Sequence, residues 1–204
     1  MPPYFFEVPM DTTFLRTKKD EALCRIHPWQ YWQIDNFMPN HDFSSFQKKL
    51  CSQSDGFFKR KDDEADINYK FLPDLKLAKF FLSDDFKDFL EAITMQRLNI
   101  HDGGLVQLRK MDSLSPAFPI HIDSQDERSL VCLYYISPDW QNGCGGELCL
   151  YKHEETDPTA VPDQLIAPIA NRMVLFFSDD THWHSVNSVH DWTRYCVVSE
   201  WIVE

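Results

Sequence analysis

FPIHIDSQDERSLVCLYYI, residues 118–136, holds two strand-like runs of different character. The first, FPIHID, has the pattern of a half-buried strand. Residues two apart in a strand project the same way, so His121 and Asp123 would present an imidazole nitrogen and a carboxylate oxygen to one point. A metal site begins like this, and so does an ordinary surface hydrogen bond; the pair alone leaves both open. The second run, SLVCLYYI, is the longest β-rich stretch up to that point in the chain.

Outward from this stretch, the period stays that of strands. LVQLRKM before it, and GELCLY, RMVLFF, HWHSV and RYCVVSEWIV after it, are short β-rich runs parted by turn chemistry such as SPDWQNGCGG and VPDQ. With no helical pattern between them, seven runs over about a hundred residues predict an antiparallel sandwich or jelly roll rather than a parallel α/β sheet. The first half reads differently. YWQIDNFMP suggests a short strand, and Asn40 is placed to cap a helix to about Leu50 with Phe43, Phe46 and Leu50 on one side. Ser83 is placed to cap a second helix with Phe86, Phe89, Leu90 and Ile93 as its apolar stripe. Residues 52–70 read as a long polar loop, expected to be a mobile flap at the substrate mouth. The expectation is one domain, mainly β with flanking helices: helical support over about 1–100 and a double-stranded β-helix (jelly-roll) core over about 101–204.

At 204 residues one sizeable core is expected. No window reaches the apolar length of a membrane span, and the first residues lack a basic region followed by an apolar core, so a cytoplasmic protein without membrane attachment is expected. The formal charge of −12, with no basic block, argues against nucleic acid as a partner. Six cysteines contain no CxxC pair; Cys132, Cys149 and Cys196 lie in apolar runs and read as reduced, buried thiols.

A second histidine-bearing run, DDTHWHSVNSVHDWTRYCVVSEW (179–201), completes a constellation. A hairpin centred near Val189 would set His184 across from Arg194. A buried guanidinium requires a carboxylate partner, and neither strand offers one at a matching position, which leaves room for a ligand's. With His121 and Asp123, two imidazoles and one carboxylate would then share a face, the arrangement associated with non-haem Fe(II) oxygenases. Strand parity alone does not separate His184 from His182, which lies two residues before it. His27, His41, His101, His153 and His190 have no partners at ligand spacing and read as solvent-facing.

The chain here resembles the Fe(II)/2-oxoglutarate-dependent dioxygenases, in particular their prolyl 4-hydroxylase-like branch. The residues carrying the resemblance are His121-x-Asp123, VCLYYISPDW, GGELCLY, NRMVLFFSDD, and His184-x-Val186 followed by TRY with Arg194; IDNFMPNHDF resembles the usual entry to the domain. The resemblance implies that His121, Asp123 and His184 hold Fe(II), and that Arg194 and Tyr135 bind the far carboxylate of 2-oxoglutarate. It also implies O2 as oxidant, ascorbate as a stimulant, and hydroxylation of an unactivated C–H bond in a protein, for instance at a prolyl residue, or in a small molecule. Because Asp123 fills a position that halogenating relatives leave free, hydroxylation rather than halogenation is implied.

Two features depart from the pattern: Met111 stands about where prolyl hydroxylases carry a tyrosine, and Trp201 lies one residue further from the arginine than usual. Both put the prolyl substrate in question and leave the metal chemistry untouched. The competing readings are a jelly-roll binding module without metal, opposed by the complete set of residues, and a zinc hydrolase, opposed by the lack of a neighbouring general base.

Overall fold

The protein is described by a computed structural model covering residues 10–61, 66–100, 106–123, 128–155, 157 and 159–204. In chain order its elements are α1 (Leu15–Glu21), β1 (Leu23–Arg25), β2 (Tyr31–Ile34), α2 (Asn40–Cys51), β3 (Phe58–Lys61), β4 (Asp66–Phe71), α3 (Leu75–Phe81) and α4 (Asp84–Thr94). These are followed by β5 (Leu98–Ile100), β6 (Gln107–Met111), β7 (Phe118–His121), β8 (Ser129–Tyr135), β9 (Leu148–Leu150), β10 (Gln164–Ile166), β11 (Arg172–Ser178), β12 (His184–Val186) and β13 (Arg194–Val203). The strands form two antiparallel sheets: a larger one in the order β1-β2-β11-β8-β13-β6-β4-β3, with β5 also on β13, and a smaller one in the order β10-β9-β12-β7. This is the expected double-stranded β-helix.

Period-two alternation divides the apolar residues between two layers. On β13, Tyr195, Val197 and Trp201 face the helices, together with Leu108, Tyr134, Leu175 and Phe177 from neighbouring strands. The alternate residues Cys196 and Val198 face the small sheet with Val131, Leu133, Tyr135 and Phe176, against Leu148, Leu150 and Ile166. SLVCLYY is buried throughout because it lies mid-sheet with a layer on each side.

The helices cover the outer face of the large sheet. Ser83 Oγ accepts the Phe86 N–H at 3.2 Å, and Asp84 and Asp85 complement the positive end of α4. Phe86 meets Phe80 and Phe81 with ring centroids 5.2 Å away in each case, and Phe37 meets Tyr134 at 5.7 Å. Burying each such ring stabilises the fold by about 1.5–3 kcal/mol. Asn171, at φ +63°, ties the N-terminal segment to the sheet. Its side chain accepts from the Met38 N–H (2.9 Å) and the Tyr134 hydroxyl (2.8 Å) and donates to the Met38 carbonyl (2.8 Å).

Four expectations are corrected. Residues 52–70 are not a long loop: β3 and β4 pair antiparallel and extend the large sheet through β6. Among the described residues four helices precede the jelly roll rather than two, since α1 and α3 have seven residues each, too few to display a full apolar stripe. Asn40 does not cap α2; Pro39 occupies that position and no side chain caps the helix.

The fourth correction concerns His184 and Arg194, which do not face each other across a hairpin. β12 pairs with β7 and β9 in the small sheet, while β13 lies in the large one. The segment between them bonds instead to the glycine-rich loop before β9: Asn187 N–H to the Glu147 carbonyl (3.0 Å) and His190 N–H to the Cys144 carbonyl (2.8 Å). With those groups satisfied by another segment, the chain crosses from one sheet to the other instead of turning back on itself.

Candidate functional site

The site is built where the ends of β7 and β12 meet. Their register pairs His121 with His184, and the two rings lie 4.3 Å apart between centroids. Asp123, just past β7, completes a cluster whose ligand atoms all lie within 4.8 Å of one another. Its Oδ1 is 3.2 Å from His121 Nε2 and its Oδ2 is 3.3 Å from His184 Nε2. Each imidazole is held from behind by a backbone carbonyl two residues earlier: His121 Nδ1 donates to the Pro119 carbonyl and His184 Nδ1 to that of His182, both at 2.9 Å. That arrangement leaves each Nε2 lone pair directed into the cluster. The rings of Phe118 and Phe176 pack edge-on against His121 and His184, at 4.4 and 4.9 Å, and fix their orientation.

Surrounding protein would by itself raise the Asp123 carboxyl, but the two imidazoles more than offset it and hold the group well below the usual carboxylate range. Burial would likewise lower the His184 imidazole; the Asp123 charge and hydrogen bond raise it instead. The cluster thus presents a carboxylate and two imidazole nitrogens on one side of a cavity between the sheets, lined also by Val131, Leu133, Leu148 and Arg194.

Arg194 enters that cavity from β13 and is 4 % exposed. Its guanidinium carbon lies 5.1 Å over the Tyr135 ring, and Nη1 is 3.9 Å from the Met111 sulfur. Arg194 Nε and the Tyr135 hydroxyl are both buried without a hydrogen-bond partner. Burial pushes the Tyr135 hydroxyl up to about 12, so it keeps its proton and remains a donor. Two buried donors beside each other and unmatched are costly; an acceptor-bearing ligand relieves both. The expectation that no carboxylate stands at a matching position to pair with Arg194 extends to the folded protein: among the described residues none forms an ion pair with it, although Glu200 lies further along the same strand. The glycine-rich loop packs tightly here: a Cβ on Gly146 (φ +77°) would stand 3.1 Å from Arg194 Cδ and 3.2 Å from the Trp192 ring.

His182 is not part of the cluster. Its ring bonds to Asp179 and packs edge-on against Trp29 at 4.6 Å. What it offers the site is its carbonyl, not its imidazole. His27, His41, His153 and His190 are exposed, as expected, and His101 lies outside the described residues. Sequence reasoning missed two residues that line the cavity, Arg109 and Glu200. The displaced Trp201 was the available signal for Glu200. A one-residue shift in a strand reverses the face, so Trp201 packs among the helices near Phe86 and Glu200 turns inward.

Residues 106–203 match the family described as the 2OG-Fe(II) oxygenase superfamily. The chain is similar to prolyl 3-hydroxylase OGFOD1 of Xenopus laevis, 24% identical over 169 residues that make up 79% of this chain and 32% of that protein. The corresponding mouse (Mus musculus) protein is 23% identical over 172 residues. The chain thus spans about a third of the length of the curated relatives it matches. Among solved structures, a prolyl hydroxylase from Trichoplax adhaerens, in complex with a hypoxia-inducible-factor oxygen-degradation-domain peptide, superposes with TM-score 0.65 at 19% identity, covering 94% of this chain and 86% of that one. A Pseudomonas putida prolyl-4-hydroxylase gives TM-score 0.65 at 13% identity, covering 94% and 99%.

Proposed function

We propose that this chain, which belongs to the 2OG-Fe(II) oxygenase superfamily, couples oxidative decarboxylation of 2-oxoglutarate to hydroxylation of an unactivated C–H bond. The observation that carries the reading is that a three-ligand cluster shares one cavity with the unmatched, buried guanidinium of Arg194, packed against Tyr135, whose hydroxyl is also unmatched. Fe(II) suits two imidazoles and a carboxylate that leave further positions open, and a dicarboxylate supplies the acceptors that Arg194 and Tyr135 lack. When bound, the iron and 2-oxoglutarate supply the reaction of O2 that yields succinate, CO2 and the oxygen atom placed on the target.

The chain's own residues do the remaining work. His121, Asp123 and His184 hold the metal, oriented by the Pro119 and His182 carbonyls. Asp123 occupies the position that separates hydroxylation from halogenation. Arg194 binds the far carboxylate as a planar fork and Tyr135 donates to it. Val131, Leu133 and Phe176 wall the cavity and exclude water. The names of the similar proteins support a prolyl residue of a protein as target. The β3–β4 hairpin, whose Asn68 borders the cavity, is read as the flap over the substrate. Six cysteines without a disulfide support a reducing, cytoplasmic setting, and among the described residues no helix is long and apolar enough to cross a membrane.

The experiment is incubation with Fe(II), 2-oxoglutarate and 18O2 in the presence of the protein pool or the small-molecule pool of a cell extract, followed by mass spectrometry of peptides and small molecules. Prolyl peptides gaining one labelled oxygen are the expected product. Labelled small molecules without labelled peptides would move the target to a free metabolite, and no labelled product with either pool would contradict the activity.

A further inference from the structure

Arg109 lies inside the same cavity and nothing in the mechanism above uses it. On β6, Leu108 is buried among the helix-side residues, so its neighbours Arg109 and, two further on, Met111 turn toward the small sheet and line the cavity. Register places Arg109 opposite Cys196, one inward step from the Met111–Arg194 pair, a spacing of about 7 Å along the strand. Arg109, Arg194 and His184 line one cavity. Arg109 Nε donates to Gln107 Oε1 at 3.2 Å, and among the described residues no carboxylate lies within ion-pair distance of its guanidinium.

Of the other charged groups lining the cavity, Lys110 is paired with Asp112 at 3.1 Å. Asp123 is held by two imidazoles, and Glu200 accepts the Ser129 hydroxyl at 2.6 Å. On the reading above, one carboxylate of 2-oxoglutarate goes to Arg194 and the other to the metal side. A second guanidinium is then left, half-buried, beside a first of the same sign, an arrangement that costs energy until an anion neutralises it.

We propose that Arg109 anchors a carboxylate carried by the molecule that is oxidised, so that the enzyme selects targets with an acidic group near the carbon attacked. A planar guanidinium takes a carboxylate by two parallel hydrogen bonds. Rejection of neutral analogues follows, because they leave that charge unpaired. The carboxylate has two sources with the same chemistry: the α-carboxylate of a free amino acid, or an acidic group of a peptide. The proposal rests on the oxygenase reading of this cavity.

The test uses wild type, Arg109→Ala and Arg194→Ala. Affinity for labelled 2-oxoglutarate is measured by equilibrium dialysis with Mn(II)-loaded protein. Succinate release is measured with Fe(II), first without a target and then with small-molecule and peptide pools of a cell extract. Each pool is used untreated and with its carboxyl groups converted to methylamides. In wild type, an untreated pool should stimulate succinate release and its methylamide form should not; the pool that does so identifies the source. In Arg109→Ala, 2-oxoglutarate affinity and unstimulated release should stay within about twofold, while stimulated release falls on the order of thirtyfold or more. Stimulation that survives methylamidation, stimulation by no pool, or wild-type stimulation of Arg109→Ala would each overturn the proposal. So would a loss of 2-oxoglutarate affinity matching that of Arg194→Ala, which would assign Arg109 to the co-substrate. Wild type that releases no succinate at all would overturn the oxygenase reading, and this proposal with it.

Discussion

Arg194 illustrates how far a single residue was legible. Its lack of an acid partner was readable from the two strands that carry it and His184, and so was its place beside Tyr135 once the family resemblance was drawn. The packing that fixes it was not readable, because it comes from Gly146, nearly fifty residues earlier in the chain. Arg194→Ala should weaken 2-oxoglutarate binding by about 2–5 kcal/mol, the cost of truncating one partner of a buried charge pair, measured as the dissociation constant with Mn(II)-loaded protein. Gly146→Ala keeps the guanidinium but presses a methyl group against its stem and forces a left-handed backbone on alanine, which costs about 1–2 kcal/mol. Thermal unfolding should show that loss, and 2-oxoglutarate affinity should fall with it; full affinity in this variant would mean that the loop does not position the arginine. His182 carries the opposite lesson. Strand parity allowed its ring to face the metal as readily as that of His184. The ring in fact bonds to Asp179, and only the carbonyl supports His184. His182→Ala should therefore lower the unfolding temperature while keeping Fe(II) affinity within about threefold of wild type, since the backbone contact survives.

At the scale of elements, the seven strand runs after Leu105 all form, because alternation between two buried layers is a local signal that each run carries in itself. Partners are a different matter. The supposed hairpin about Val189 has a plausible length, but its backbone groups find better partners in the loop at 144–147, which no short window reveals. The β3–β4 hairpin escaped notice because its strands are polar, lying at the end of the large sheet. Asn171 joins elements that are distant in sequence, and its left-handed backbone suits asparagine. Asn171→Ala removes three buried side-chain hydrogen bonds, leaving the Tyr134 hydroxyl and the Met38 backbone without partners. A loss of about 2–5 kcal/mol in urea unfolding is expected from the unsatisfied groups and backbone strain together. A change below half a kilocalorie, on the order of an ordinary surface substitution, would show that the N-terminal segment is held by its phenylalanines alone.

Taken whole, the molecule places its chemistry between two sheets whose strands interleave along the second half of the sequence. The small sheet brings the cluster of His121, Asp123 and His184, the large sheet brings Arg194 and Arg109, and the helices cover the large sheet from outside. The central claim is that His121, Asp123 and His184 hold Fe(II) for 2-oxoglutarate turnover. It is tested most directly by Fe(II)-dependent succinate release from 2-oxoglutarate in wild type, His121→Ala, Asp123→Ala and His184→Ala, each shown folded by circular dichroism. The account predicts release in wild type and none above the metal-free background in the three variants. Undiminished release in any folded variant would contradict it.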